Sequence, residues 1–319
     1  MTEPFDDSRR LTGSNAYFAE PGAVLETVGI DVDADFLERW RSRITIAREW
    51  LAWQHGPIHT RIHASGATLA FAAPLDQLLA ATEINEWALL STLLDPDSRD
   101  NIPFAPGHAA CWDEELAKRT LRGLAATEAD PKLAELIVAA HARKLPALPG
   151  EELLTLGAGT GAQSWPLNAL PDVDDVAWSE LHAIPLALVT GSNGKTTSVR
   201  LLAAMARQDG RSVAHSCTDG LFVDGVAIDS GDFSGPVGAR TVLRQPGVET
   251  AILETARGGL LRRGLAVARA DVALISNVSA DHYGEYGIHE LADLAAAKLT
   301  VARAVDPDGL LVLNADDAL

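Results

Sequence analysis

The sequence predicts an α/β fold: a mostly parallel sheet flanked by helices around a phosphate-binding loop, preceded by a smaller α+β domain. Three observations carry this. The apolar run Leu186–Val189 ends in Thr190-Gly191-Ser192-Asn193-Gly194-Lys195-Thr196-Thr197 and opens into a helical stripe of Val199, Leu202, Ala203 and Ala206. Beyond it, apolar strand cores alternate with a helical stretch and run out into polar residues, namely Glu254, Ser276-Asn277 and Asn314. The first half holds helix-period stripes and one hairpin pattern but no catalytic constellation.

Taken in order, RRLTGSNAYFAEPGAVLETVGI (residues 9–30) is cut by Gly13, Pro21 and Gly22 into short extended pieces. Asp33 or Asp35 caps a helix to about Gln54, with Phe36, Leu37, Trp40, Ile44, Ala47 and Leu51 as its apolar stripe. The stretch Ile58–Phe71 alternates around Ser65-Gly66, a hairpin pattern. His55, His59 and His63 do not suit one metal: Gly56-Pro57 forbids a shared helix, and on a strand His59 and His63 stand ~13 Å apart. A helix from Pro74 to about Leu94 is closed by Asp95-Pro96-Asp97, and a loop follows to Gly107. Asp113–Ala126 and Pro131–Lys144 are two more helices, the latter with proline at its first position. Leu153–Trp165 spaces its glycines as Gly157, Gly159 and Gly161 and meets Trp165-Pro166, which fits a hairpin or linker turn rather than a dinucleotide fingerprint. The expected organisation is an N-terminal α+β domain at 1–150, a linker at 151–180 and a nucleotide-binding domain at 181–319.

In the glycine-rich loop, backbone N–H groups and the helix N-terminus would face phosphate oxygens. Lys195 would reach the β/γ-phosphates and Thr196 would hold Mg²⁺, so Gly191, Ser192, Asn193, Gly194, Lys195, Thr196 and Thr197 are the candidate nucleotide-binding residues. The loop is short, with two residues rather than the usual four between Gly191 and Gly194-Lys195. The plain alternative is a strand-to-helix turn with a surface lysine, but turn chemistry gives no reason for two threonines after Gly-Lys. Ser212–Ser216 is the next strand, and Leu221–Ile228 a hairpin turning at Asp224-Gly225. Ala251–Leu253, Asp271–Ile275 and Leu310–Leu313 are further strand cores, the last two separated by a helix from about Ile288 to Val305.

Open parallel sheets bind ligands beyond the carboxyl ends of their strands, the edge that would gather Thr190, Glu254, Asn277 and Asn314. A carboxylate beside a triphosphate makes sense as a Mg²⁺ ligand or a base, which assigns Glu254. Arg257, Arg262 and Arg263 suit an anionic substrate; a structural Glu–Arg pair is the alternative. Asp281-His282 follows Asn277, and a neutral His282 could complete a metal's coordination, against the alternative of a surface histidine. Lys298 faces the sheet if Leu291, Leu294, Ala295 and Val301 are core; it is otherwise a solvated helix lysine, and if buried it needs a partner or a covalent change.

Composition excludes several classes. The chain has 319 residues, 47% hydrophobic and 22% charged, which describes a folded globular protein with room for two domains. A net charge of −18 argues against a nucleic-acid surface. No apolar run approaches the ~18 residues of a membrane span, and the acidic start MTEPFDDSRR lacks the apolar core of a secretory leader. Cys111 and Cys217 are expected as reduced, packed thiols, and the protein as cytoplasmic.

The run TGSNGKTT, a strand-end glutamate, NVSADH, a helical lysine and LNADD resembles the central ATP-binding domain of Mur ligases and folylpolyglutamate synthetases. The agreement is closer with the ligase domain of cyanophycin synthetases, in Thr218-Asp219-Gly220, Ser230–Pro236, Leu253–Gly259, Asp281-His282 with Gly287-Ile288, and Lys298. RRLTGSN, Val24–Glu26 and LGAGTGAQSW resemble the start of the same family. The resemblance implies an ATP-dependent carboxylate–amine ligase acting through an acyl phosphate, with ATP and Mg²⁺ as cofactors. It assigns catalytic roles to Lys195, Glu254, His282 and Lys298, metal roles to Thr196, Glu254 and His282, and nucleotide contacts to Asn277 and Asn314. It implies a second Mg²⁺ served by His282 and a carbamylated Lys298. Expected partners are small carboxylate and amine substrates, amino acid or peptide, with no nucleic acid or membrane; homo-oligomerisation is left open. Two departures qualify it: Trp165–Pro185 leaves no room for the family's ATP-grasp domain, and the sequence stops at Leu319, before a Mur ligase's C-terminal domain. The alternative is therefore a truncated or regulatory ATP-binding module without turnover, separable by whether phosphate release needs both substrates.

Overall fold

A computed structural model describes residues 4–93, 114–280 and 283–317. The chain divides into two compact units, one comprising residues 1–12, 17–129 and 284–289, the other residues 13–16, 130–283 and 290–319.

In the first unit, β1 (Phe5–Leu11), β2 (Gly22–Thr27), α1 (Ala34–Leu51), β3 (Ile58–His63), β4 (Gly66–Ala72), α2 (Leu78–Leu93) and α3 (Glu114–Glu128) follow in order. The strands form an antiparallel sheet ordered β1-β2-β4-β3. The Asp33 carboxylate accepts from Phe36 N–H at 2.7 Å and starts α1, whose stripe of Phe36, Leu37, Trp40, Ile44 and Ala47 is buried. α2 is buried on nearly every side, so its apolar residues do not keep to a stripe. Its one fully buried amide, Asn85, accepts from the Trp40 indole and donates to Leu69 O. The α3 residue Glu128 accepts from Leu79 and Ala80 N–H, both at 2.8 Å, and so caps the start of α2. The helix side of the sheet and the three helices share one core around Leu25, Leu69, Trp40, Ile84 and Leu121.

The second unit begins with α4 (Pro131–Ala142), then β5 (Ala147–Pro149), β6 (Leu153–Leu156) and β7 (Gln163–Pro166), a small antiparallel sheet. The stretch 151–180, expected as a linker, thus contains two strands; β6 and β7 pair across the glycine turn, the hairpin alternative for Gly157–Gly161. Then come β8 (Leu186–Thr190), α5 (Lys195–Gln208), β9 (Val213–Cys217), β10 (Gly220–Val223), β11 (Val226–Asp229), α6 (Pro236–Leu243), β12 (Thr250–Glu254), α7 (Arg257–Arg263), β13 (Ala270–Ile275), α8 (Leu291–Leu299) and β14 (Val305–Leu313). Their sheet is ordered β11-β10-β9-β12-β8-β13-β14; every pairing from β9 to β14 is parallel, and β10 and β11 fold back antiparallel at one edge. This is the mostly parallel α/β architecture the sequence predicts.

Apolar strands buried on both faces explain the layering. Val189, Ile252, Val213 and Cys217 pack with Val199 and Ala203 of α5. Leu188, Leu253 and Ala273 pack with Val242 and Leu243 of α6 and Leu260 of α7. Cys217 is a free buried thiol, pushed up by burial; Cys111 lies outside the described residues. The helix expected from Ile288 to Val305 is shorter: α8 starts at Leu291, after Glu290 and Asp293 close a reciprocal capping box, and a 3-10 turn from Thr300 to Ala304 runs directly into β14. No described helix is long and apolar enough to cross a membrane.

Candidate functional site

Strand register brings the expected residues to one rim. Glu254 pairs in register with Val189, and Ile275 with both Thr190 and Leu313, so β8, β12, β13 and β14 end side by side. β8 is the middle one of the five parallel strands, and the glycine-rich loop leaves from its carboxyl end into α5. Lys195, Thr196 and Thr197 are the first residues of α5, with Gly194 as its cap.

The loop is laced to the end of β13. Ser192 N–H donates to Asn277 O at 2.8 Å, and its hydroxyl donates to Ser279 O and accepts from Ser279 N–H, both at 3.0 Å. Asn277 Oδ1 accepts from Asn193 N–H at 3.1 Å while its Nδ2 donates to Asn193 O at 2.9 Å. Ser276 Oγ also donates to Asn193 O, at 2.6 Å. Gly191 has φ 146°, and a β-carbon there would run into Ser276 Oγ, so this close approach requires glycine. In this state Asn277 holds the loop in shape. Asn314, just past β14, donates to Asp317 Oδ1 at 3.3 Å, and Asp317 Oδ2 accepts from Val278 N–H at 2.9 Å, tying the ends of β13 and β14 together. The Lys195 ammonium donates to Ser192 O at 3.1 Å, folded over its own loop.

Glu254 is 1% exposed at the end of β12. Its Oε2 accepts from the Thr196 hydroxyl at 2.8 Å and from Thr218 N–H at 3.3 Å. The Thr196 hydroxyl spends its one proton on that carboxylate, so in its 2.9 Å contact with Thr218 Oγ1 the Thr218 hydroxyl donates. Glu254 Oε1 is buried with no partner among the described residues, as is Thr190 Oγ1. Burial pushes the Glu254 carboxyl above its usual range, and the Thr196 and Thr218 hydrogen bonds and the Lys195 charge only partly offset this.

The other candidates stand as follows. Lys298 is 3% exposed near the end of α8, so the solvated-lysine alternative does not hold. Arg257, Arg262 and Arg263 all lie on α7, which starts three residues after Glu254. Asp281 and His282 lie outside the described residues. Thr218 and Ser230–Pro236 stand in the sequence only as family motifs. They come to the site because β9 and β12 are parallel neighbours, a pairing that local pattern does not reveal.

The second unit is, by fold and rim, an open α/β sheet whose middle parallel strand feeds a glycine-rich loop into a Thr–Glu pair. Residues 189–319 match the family described as the Mur ligase middle domain. A cyanophycin synthetase from Synechocystis is 48% identical over 160 residues, 50% of this chain and 18% of that protein. A UDP-N-acetylmuramoylalanine–D-glutamate ligase from Leuconostoc mesenteroides is 33% identical over 131 residues, 41% of this chain and 25% of that protein. The matches therefore span a quarter or less of these relatives. Among solved structures, a UDP-N-acetylmuramoyl-L-alanyl-D-glutamate–2,6-diaminopimelate ligase is similar over 42% of this chain and 27% of its own, with a TM-score of 0.36 and 26% identity.

Proposed function

We propose that the second unit catalyses ATP-dependent joining of a carboxylic acid to an amine through an acyl phosphate. The observation that carries this is the Thr196–Glu254 hydrogen bond beside the glycine-rich loop, with Glu254 Oε1 buried and without a partner among the described residues. The donor set fits Mg²⁺: one carboxylate and one hydroxyl, hard oxygens, leaving positions for water and phosphate. Thr196 and Glu254 would hold it, and when bound it supplies charge neutralisation on the β- and γ-phosphates.

Residues 191–197 bind ATP by directing loop and helix N–H groups at its phosphates. Lys195 exchanges the Ser192 carbonyl for the γ-phosphate and stabilises charge on the transferring phosphoryl group. A substrate carboxylate oxygen attacks the γ-phosphorus, the bond to ADP breaks, and an acyl phosphate forms. The amine nitrogen then attacks the acyl carbon, phosphate leaves, and the amine loses a proton to give the amide. Arg257, Arg262 and Arg263 are assigned to an acidic substrate, an amino acid or peptide. His282 and a carbamylated Lys298 are assigned to a second Mg²⁺ on the family resemblance, with Lys298 buried on α8. Asn277 and Asn314 are assigned to the nucleotide side of the rim, and the protein to the cytoplasm.

The test is phosphate release by the full chain with ATP, Mg²⁺ and panels of acids and amines. Release that requires one of each, with amide product by mass spectrometry, is the expected result. Tight ATP binding without acid-dependent release sinks the ligase reading. Intact-protein mass spectrometry showing Lys298 without added carbon dioxide, together with undiminished activity of Lys298→Ala, removes the carbamate assignment.

A further inference from the structure

We propose that Arg61 is a positioning residue of the ligase site: it fastens residues 284–289 to the sheet of the first unit and, through that segment, steadies the glycine-rich loop and the start of α8. This deepens the ligase reading and rests on it for what the loop binds. The chain leaves the second unit at Gly284, runs with the first as far as His289 and returns at Glu290. On β3, Arg61 Nη2 donates to Gly287 O at 2.6 Å. Ser65 Oγ, in the turn between β3 and β4, lies 3.0 Å from His289 Nε2, and the centres of the His63 and His289 rings are 5.3 Å apart. The Arg9 guanidinium stands 4.4 Å from the centre of the Tyr286 ring. Glu26 in turn holds Arg9 at 2.9 Å and lies 3.3 Å from His63.

The segment is shaped for this place. Gly284 N–H donates to Ile288 O at 2.8 Å and Ile288 N–H donates to Glu285 O at 3.1 Å, closing it on itself. Gly287 has φ 68°, and a β-carbon there would stand 2.8 Å from Arg61 Nη2 and 2.9 Å from His63 Cδ2. Tyr286 keeps φ 54° without being glycine, a strain that its surroundings must hold. Both ends of the segment run toward the site. Upstream, Ser279 exchanges hydrogen bonds with Ser192 of the glycine-rich loop. Downstream, Glu290 N–H donates to Asp293 Oδ2 at 3.2 Å in the box that starts α8, the helix of Lys298. Pinning the chain between these two points removes conformations in which either end is released.

The experiment is hydrogen–deuterium exchange of the full chain, wild type against Arg61→Ala, with and without ADP and Mg²⁺. In nucleotide-free Arg61→Ala, residues 284–289 should exchange about 5-fold faster, the scale of one lost hydrogen bond. Residues 190–197 and 290–294 should quicken with them, while α1 and α2 keep their wild-type rates. Arg61→Lys, which retains a donor for Gly287 O, should recover part of the change. Quickening confined to 284–289 overturns the proposal. If Arg61→Ala loosens α1 and α2 as well, Gly287→Ala carries the test, since it displaces the segment and leaves the residues of β3 unchanged; quickening that stops at the ends of the segment overturns the proposal equally. Coupling is reciprocal, so bound ADP should slow exchange of 284–289 in the wild type. ADP that protects 190–197 and leaves 284–289 unchanged is a second result against the proposal. A wild-type chain that binds no ADP sinks the ligase reading alone, because the nucleotide-free comparison still decides the part played by Arg61.

Discussion

Glu26 in the first unit and Glu254 in the second are both buried and are treated in opposite ways. Glu26 on β2 is 6% exposed and saturated: Oε1 accepts from Arg9 Nη2 at 2.9 Å, and Oε2 accepts from the Thr68 hydroxyl at 2.8 Å and lies 3.3 Å from His63 Nε2. Burial alone would push it up, but the His63, Arg9 and Thr68 interactions win and hold its carboxyl below the usual range. Glu254 is at least as buried, has one oxygen satisfied and the other without a partner among the described residues, and sits above that range. The first arrangement is that of a structural carboxylate. The second carries a cost in the free protein that protonation removes and that, on the proposed reading, a bound cation would also remove.

The contrast breaks most visibly by deletion. Glu26→Ala strands Arg9, 4% exposed, with Asp7 as its remaining acid partner, and should cost about 3–5 kcal/mol of unfolding free energy in urea titrations. A loss under about 1 kcal/mol would mean the first cluster is no better satisfied than the second. Glu254→Gln should do the reverse: ATP-dependent phosphate release falls by about 10²–10³, of the order lost with one transition-state contact, while the metal-free protein melts no lower than wild type at neutral pH. A lowered melting temperature would show that the ionised Glu254 was supporting the fold.

The same pair sharpens with pH. Glu26 has a lowered carboxyl, so its contribution is fully present above the ordinary carboxylate value and is lost as pH falls through the lowered one. Glu254 has a raised carboxyl, so its cost is absent in acid and grows as pH climbs from the ordinary value through the raised one. The stability of Glu254→Gln relative to wild type should therefore rise with pH over that window and then level off. That of Glu26→Gln should fall with rising pH over a lower window. Parallel curves from thermal melts at a series of pH values would contradict the assignment of opposite shifts.

What the sequence revealed follows the same division. The glycine loop, α5 and the strand ends were legible because a short apolar run, a turn and a stripe are all local signals. Glu254 was legible because a carboxylate at the end of an apolar strand is conspicuous. The Glu26 cluster was not, because Arg9, Glu26, His63 and Thr68 come from four strands whose pairing assembles them. α6 and α7 are not legible because each opens in a glycine-rich stretch, Ser234-Gly235-Pro236 and Arg257-Gly258-Gly259, that reads as turn. The stretch 151–180 reads as linker because strands as short as β6 and β7 carry too few residues to show alternation.

The smallest expected effect concerns how the rim is held rather than what it binds. Gly191 combines φ 146° with the approach of Ser276 Oγ, so Gly191→Ala carries two costs at once: backbone strain, and a clash with a hydroxyl that itself braces Asn193. Strain of this kind is worth about 1–3 kcal/mol. The costs separate in a double-mutant cycle. Ser276→Ala alone loses one hydrogen bond, about 1 kcal/mol, but in the Gly191→Ala background it also removes the clash, so the double variant should be more stable than the sum of the singles. Strict additivity in urea unfolding would assign the whole penalty to φ and leave Ser276 with no steric part in shaping the loop.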